Sequence, residues 1–64
     1  MKVKYDKEVD VLRLVFSDNK IVESDEEKPG LILDYDIAGD VVSIEILDAS
    51  KKMNNPAQVE YQAA

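Results

Sequence analysis

The residues Asp34-x-Asp36-x-Ala38-Gly39-x5-Glu45 reproduce the first, third, sixth and twelfth positions of a helix-flanked calcium loop. A calcium cage needs six or more converging oxygens, and Ala38 stands where the fifth-position oxygen ligand belongs. The flanks alternate like strands, so the segment reads as an Asp/Gly hairpin turn, with no metal ligand expected. Asp34 and Glu45 fall on one strand face and resemble an acid/base carboxylate pair. Catalysis by such a pair requires a pocket that separates the two pKa values, and a sheet this small offers little volume for one. Ser50 is followed by Lys51 and Lys52, the components of a Ser–Lys dyad. A turn or helix cap explains Ser50 with fewer assumptions. Histidine and cysteine are both absent. That removes disulfides, thiolate metal sites, the usual zinc ligand and the usual neutral-pH base. The expectation is no catalytic residue, no cofactor and no enzymatic activity.

Charge is the other chemical signal. The net charge of -6 is concentrated between residues 23 and 50, which hold nine acids and one base, Lys28. Such a field repels nucleic-acid backbones and anionic membranes and attracts basic partners. The densest run is Glu23-Ser24-Asp25-Glu26-Glu27. Charge runs usually form solvated loops, and a docking edge for a basic protein is the functional alternative. Tyr5, Tyr35, Tyr61 and Phe16 are the only aromatics, and packing is their ordinary role.

The elements that must position these residues follow from length and pattern. The chain of 64 residues allows a single domain, with a sheet over about 2–47 and a turn or helix over about 50–64. A domain this small has a thin core and often gains burial by self-association. Met1 to Tyr5 has no signal-peptide run and no stretch approaches the ~20 apolar residues of a membrane span, so the expected location is cytoplasmic.

Val3 and Tyr5 alternate with lysines and predict a first strand. Val11–Phe16 predicts a central second strand with Leu12, Leu14 and Phe16 inward and Arg13 on the other face. The register of this first hairpin is left open by the pattern. Ser17-Asp18-Asn19 signals a turn, and Lys20–Ser24 reads as a third strand through Ile21 and Val22. Pro29-Gly30 predicts a turn at a sheet edge or off the sheet.

Leu31–Tyr35 and Val41–Leu47 predict a hairpin around Asp36–Gly39, with Gly39 at positive φ and Leu33 opposite Val42. This pairing puts Ile32, Asp34, Val41, Ser43, Glu45 and Leu47 on a second face, more apolar than a solvated face should be. Asn55-Pro56-Ala57-Gln58 predicts the start of a short helix from Pro56 to Ala64. The fold class is mainly β: a small antiparallel meander of four to five strands with a short C-terminal helix.

Tyr5-Asp6 with Glu8 and Asp10 ahead of Val11-Leu12, then Pro29-Gly30-Leu31-Ile32-Leu33-Asp34-Tyr35-Asp36, then Gly39 with Ile44-Glu45-Ile46-Leu47-Asp48-Ala49-Ser50, resemble the family known as domain of unknown function 2283. The resemblance covers roughly residues 3–51. Ser43 departs from the glycine and Arg13 from the aromatic or aliphatic residue expected in relatives. The family consists of small prokaryotic and phage proteins. The resemblance implies a small β fold and no established activity, and some relatives look like the antitoxin half of toxin–antitoxin pairs.

The leading expectation is therefore a non-enzymatic interaction module, antitoxin-like in the sense of that resemblance. It would bind a basic protein through Glu23, Asp25, Glu26 and Glu27 and through the half-apolar face with Ile32, Val41 and Leu47. A structural homodimer with no separate ligand is the second expectation. A small carboxylate- or metal-dependent hydrolase using Asp34, Asp36 and Glu45 is the third. No nucleic-acid or membrane partner is expected.

Overall fold

A computed structural model describes residues 1–64 and shows five strands and one helical turn. They are β1 Lys2–Asp6, β2 Val11–Val15, β3 Glu23–Lys28, β4 Leu31–Tyr35, β5 Val41–Leu47 and α1 Ala49–Lys52. All pairings are antiparallel, in the order β1-β2-β5-β4-β3. The antiparallel β class is as expected. The strands do not run as one meander, however: β2 lies beside β5, and residues 16–22 cross one end of the sheet to begin β3. That order is a Greek key over β2 to β5, with the longest strand, β5, in the centre.

Three hairpins set the ladder. In the first, β1 and β2 pair from Lys2↔Val15 to Asp6↔Val11, which settles the register the pattern left open. In the second, Pro29 cannot donate to a ladder and sits at the turn, followed by Gly30 at φ 81°. This tight turn sends the preceding six residues back along β4, so the third strand is Glu23–Lys28, not Lys20–Ser24. Ile21 and Val22 lie in the connection. Backbone pairing to β4 makes the strand, and an edge position tolerates a charged sequence.

The third hairpin closes farther along than expected. Leu33 faces Ile44 instead of Val42, two residues on. A bulge beside Asp34 and Tyr35 and a longer loop account for the shift. Asp36 builds that loop: its carboxylate accepts the amides of Ala38 and Asp40, each at 2.9 Å. Gly39 has φ 85°, the left-handed conformation its position predicted. A slip of two preserves side-chain parity, so the two faces keep most of the expected membership.

One face carries Val3, Tyr5, Leu12, Leu14, Leu31, Leu33, Ile44 and Ile46. The core is thin all the same: only Leu12, Val42 and Ala49 are buried hydrophobic residues. Phe16, expected inward, is 44% exposed because it stands one position beyond the end of β2.

The C-terminal helix also lies elsewhere. It spans Ala49–Lys52, starting from Asp48 in the left-handed region at φ 51°. No helix forms over 56–64. Asn55 does hold one turn, accepting the amides of Ala57 and Gln58. A single capped turn in a nine-residue terminal stretch does not propagate, because nucleation costs more than the few following hydrogen bonds return without packing. No helix is long and apolar enough to cross a membrane.

Candidate functional site

The second face is polar at its centre. Across it run two cross-strand rows, Lys4–Arg13–Glu45–Ile32–Glu26 and Lys2–Val15–Ser43–Asp34–Ser24. Asp34 is only 2% exposed. Its carboxylate accepts the Ser24 hydroxyl at 2.6 Å and the Ser43 hydroxyl at 2.5 Å. Ser43, fully buried in the central strand, thus holds β4 to β5 through side chains as well as backbone.

Burial pushes the Asp34 pKa up, but the hydroxyls of Ser24 and Ser43, neighbouring Glu45 and the Arg13 charge outweigh it, and the net direction is down. Glu45 moves the other way, raised by burial first and then by Asp34. Of the two, Glu45 is the member that keeps its proton to higher pH. Arg13 stands beside them with its Nε shut off from solvent and unpartnered. A hollow of about 270 Å³ lies at this side, walled by Lys4, Arg13, Glu45, Asp6, Val9 and Val11.

The residues of the calcium-loop spacing do not converge. Asp34 and Glu45 lie on the sheet face, whereas Asp36 is turned into the hairpin loop and also accepts Asn19 Nδ2 at 3.0 Å. No group of three acidic side chains is arranged to hold a metal ion. The Asp36 pKa is lowered, first by the Asp40 amide and then by Asn19.

The acidic run forms the outer edge of the sheet. Every residue of β3 is exposed, including Glu23, Asp25, Glu26 and Glu27. Tyr35 leans toward this edge and donates its hydroxyl to Glu27 at 3.3 Å. The opposite edge, β1, carries Lys2 and Lys4, so the two open edges have opposite charge. The three apolar candidates do not form one patch. Ile32 and Leu47 are half-buried on the polar face, and Val41 lies beyond Ser43 at the far end of β5.

Asp10 entered the sequence reading only within the family resemblance, with no role of its own. It occupies the left-handed region at φ 56° in the first hairpin turn. Its carboxylate accepts the Tyr5 hydroxyl at 2.7 Å, the Ser50 amide at 3.0 Å and the Ser50 hydroxyl at 2.7 Å. Its backbone carbonyl takes the Ala49 amide. Ser50 is therefore a helix residue held from outside, not the cap itself, and Asp10 serves the orphan amides of α1. These bonds, the Tyr5 hydroxyl foremost, lower the Asp10 pKa and raise that of Tyr5. An aspartate placed directly before a strand, where left-handed backbone ends a turn, is the only local signal for this role.

The chain belongs to the family described as protein of unknown function (DUF2283), whose model matches residues 2–50. The match begins with β1 and ends at Ser50, the residue that Asp10 holds. No curated protein and no solved structure matches the chain.

Proposed function

We propose that this member of the family is a non-enzymatic interaction module that captures a basic protein segment along its acidic edge strand. One observation carries the reading: β3 is an open sheet edge with all six residues exposed and four carboxylates against one lysine. An unpaired edge offers backbone donors and acceptors to an added strand, and the carboxylates select a cationic one. A partner neutralised in this way would make the module antitoxin-like. The chemistry of the polar face supports a binding role over catalysis, since both Asp34 oxygens are occupied by serine hydroxyls of the fold itself.

The test is a synthetic ten-residue peptide of alternating lysine and valine, followed by backbone amide shifts. Residues 23–28 should move and residues 2–6 should not, and a glutamate/valine peptide should leave β3 unmoved. Glu26→Lys with Glu27→Lys should abolish the response. Equal shifts at β1 and β3, or none at millimolar peptide, would overturn the reading.

A second copy of the chain is the other partner the observations favour. Only three hydrophobic residues are buried. The surface of 4994 Å² exceeds the about 4100 Å² typical of a compact monomer of this mass, with exposed residues 57–64 contributing part of the excess. Light scattering at micromolar concentration separates a homodimer from a monomer that awaits a basic partner.

A further inference from the structure

The polar face is laid out with opposite signs on the two sides of its central strand. Lys2 and Lys4 of β1 and Arg13 of β2 lie on one side of β5, Asp34 of β4 and Glu26 of β3 on the other, and Glu45 on β5 itself. Lys4 and Glu26 are exposed and stand at opposite ends of one row. Four strand spacings, roughly 19 Å, separate them, so they cannot pair within one chain. Arg13 keeps a guanidinium nitrogen shut off from solvent without an acceptor, beside the open hollow of about 270 Å³. Val11, Val15, Ile32 and Leu47 are half-buried on this face, and no strand or helix of the chain is laid across them. The single helical turn, α1, is held at the end of the sheet by Asp10 and Lys52.

We propose that a second copy of the chain covers this face, related by a two-fold axis along β5, so that two five-stranded sheets form a sandwich. The proposal deepens the second-copy reading by assigning its face and its axis. Rotation about the central strand lays β1 of each copy over β3 of the other. Lys4 then meets Glu26 of the second copy, and Lys2 meets its Ser24. At the end that carries the first hairpin turn both edges change sign, with Asp6 closing β1 and Lys28 closing β3, and the same rotation brings those together. Beside the axis, each Glu45 lies between its own Arg13 and the Arg13 of the other copy, two carboxyl groups between two guanidinium groups. The Arg13 stem covers Ile32 across the interface. Val41 and Leu47, at the two ends of β5, meet their own equivalents and add apolar contact along the axis. Sheets packed face to face in this way keep their strands within about 30° of each other.

The other arrangements lose these contacts. A two-fold across the strands sets β1 on β1 and β3 on β3, lysine against lysine and carboxylate against carboxylate. On the opposite face, rotation about β5 sets Glu23 and Asp25 on Val3 and Tyr5, with no cation to receive them. A foreign protein must reproduce this pattern of signs, whereas a second copy already carries it. The surface beyond that of a compact monomer is of the order of the roughly 800 Å² that one partner gives to a standard interface.

The test is the dimer dissociation constant, measured by light scattering and sedimentation from micromolar to millimolar concentration. Lys4→Glu should weaken dimerisation about tenfold or more, because a two-fold interface contains the change twice. Glu26→Lys should do the same. Combined, the two changes should restore the wild-type constant to within about threefold, since they exchange the members of one contact. Within one chain the positions are too far apart for such a rescue, and circular dichroism of each variant checks that the sheet is intact. A dimer indifferent to the single changes, or one that the double change fails to restore, would overturn this face and leave the second-copy reading standing. A monomer at millimolar concentration would overturn both. Lys4→Glu leaves β3 as it is, so capture of the lysine/valine peptide by that variant tests the edge-strand reading independently.

Discussion

The two ends of this sheet are built around an aspartate each, and they differ in what the aspartate joins. At the closed end Asp10 links residues forty positions apart, tying the first hairpin turn to α1 through Ser50, while Tyr5 is fastened from β1. Lys52 completes that end by donating to the Pro29 carbonyl. At the open end Asp36 mainly shapes its own hairpin loop, with Asn19 as its single distant contact. Apart from Val59 and Tyr61 in the C-terminal tail, the closed end exposes one large apolar side chain, Val9, while the open end exposes five. The difference teaches that hydrogen bonding across distant segments stabilises one end, and that the other leaves its apolar side chains exposed.

The largest expected effect is on the aspartates. Asp10→Ala removes three acceptor bonds and places alanine at positive φ, where an L side chain is strained. It should lower the melting temperature more than Asp36→Ala, whose consequences stay within the loop and its Asn19 contact. Thermal unfolding followed by circular dichroism makes the measurement, and the reverse order would break the comparison.

The glycines give a smaller, matched pair. Gly30 and Gly39 have nearly equal φ, 81° and 85°. A Cβ at Gly39 meets nothing within 4 Å, whereas one at Gly30 would overlap Lys52 Nζ. Gly39→Ala should cost only the left-handed strain, about 1 kcal/mol, or roughly 4–8 °C in a domain of this size. Gly30→Ala should cost more, because Lys52 must also leave the Pro29 carbonyl. Equal losses would show that Lys52 contributes nothing to the closed end.

Acidity produces the smallest contrast and reaches both ends and the middle. Asp10 and Asp36 have folded pKa values below the ordinary 3.8. Their stabilisation is present above that value and is lost as pH falls through the folded values. Glu45 is raised above 4.5, so the stability it contributes is present below 4.5 and fades as pH rises through its folded value. Melting temperatures across about pH 2 to 7 should show a flatter acid limb for Asp10→Asn and Asp36→Asn, and a flatter decline above 4.5 for Glu45→Gln. An acid limb unchanged by either asparagine variant would remove both aspartates from the account of the ends.

Most of the β4–β5 hairpin was legible in the residues, because period-two alternation and Gly39 are local signals. The same holds for the turn at Pro29-Gly30, the placing of Arg13 on the second face and the absence of thiol or imidazole chemistry. The third strand was not legible, because β3 is a strand by virtue of pairing with β4, and its charged side chains carry no periodic apolar signal. The two-residue shift in the hairpin was hidden for a related reason: parity decides which face a side chain joins, but loop closure by Asp36 and a bulge decide which residue lies opposite.

The acidic candidates Glu23, Asp25, Glu26 and Glu27 were visible as composition, and the sheet order made them an edge. Composition and alternation determined that this chain is a small acidic antiparallel sheet. Only tertiary structure decided that Asp10 meets Ser50, that Asp34 lies between two serines, and that Met1, Phe16, Val22, Ile37 and Val41 share one end. Each of those neighbourhoods depends on β2 lying beside β5, a pairing set by the burial of whole faces and the backbone ladder, which no local run of residues encodes.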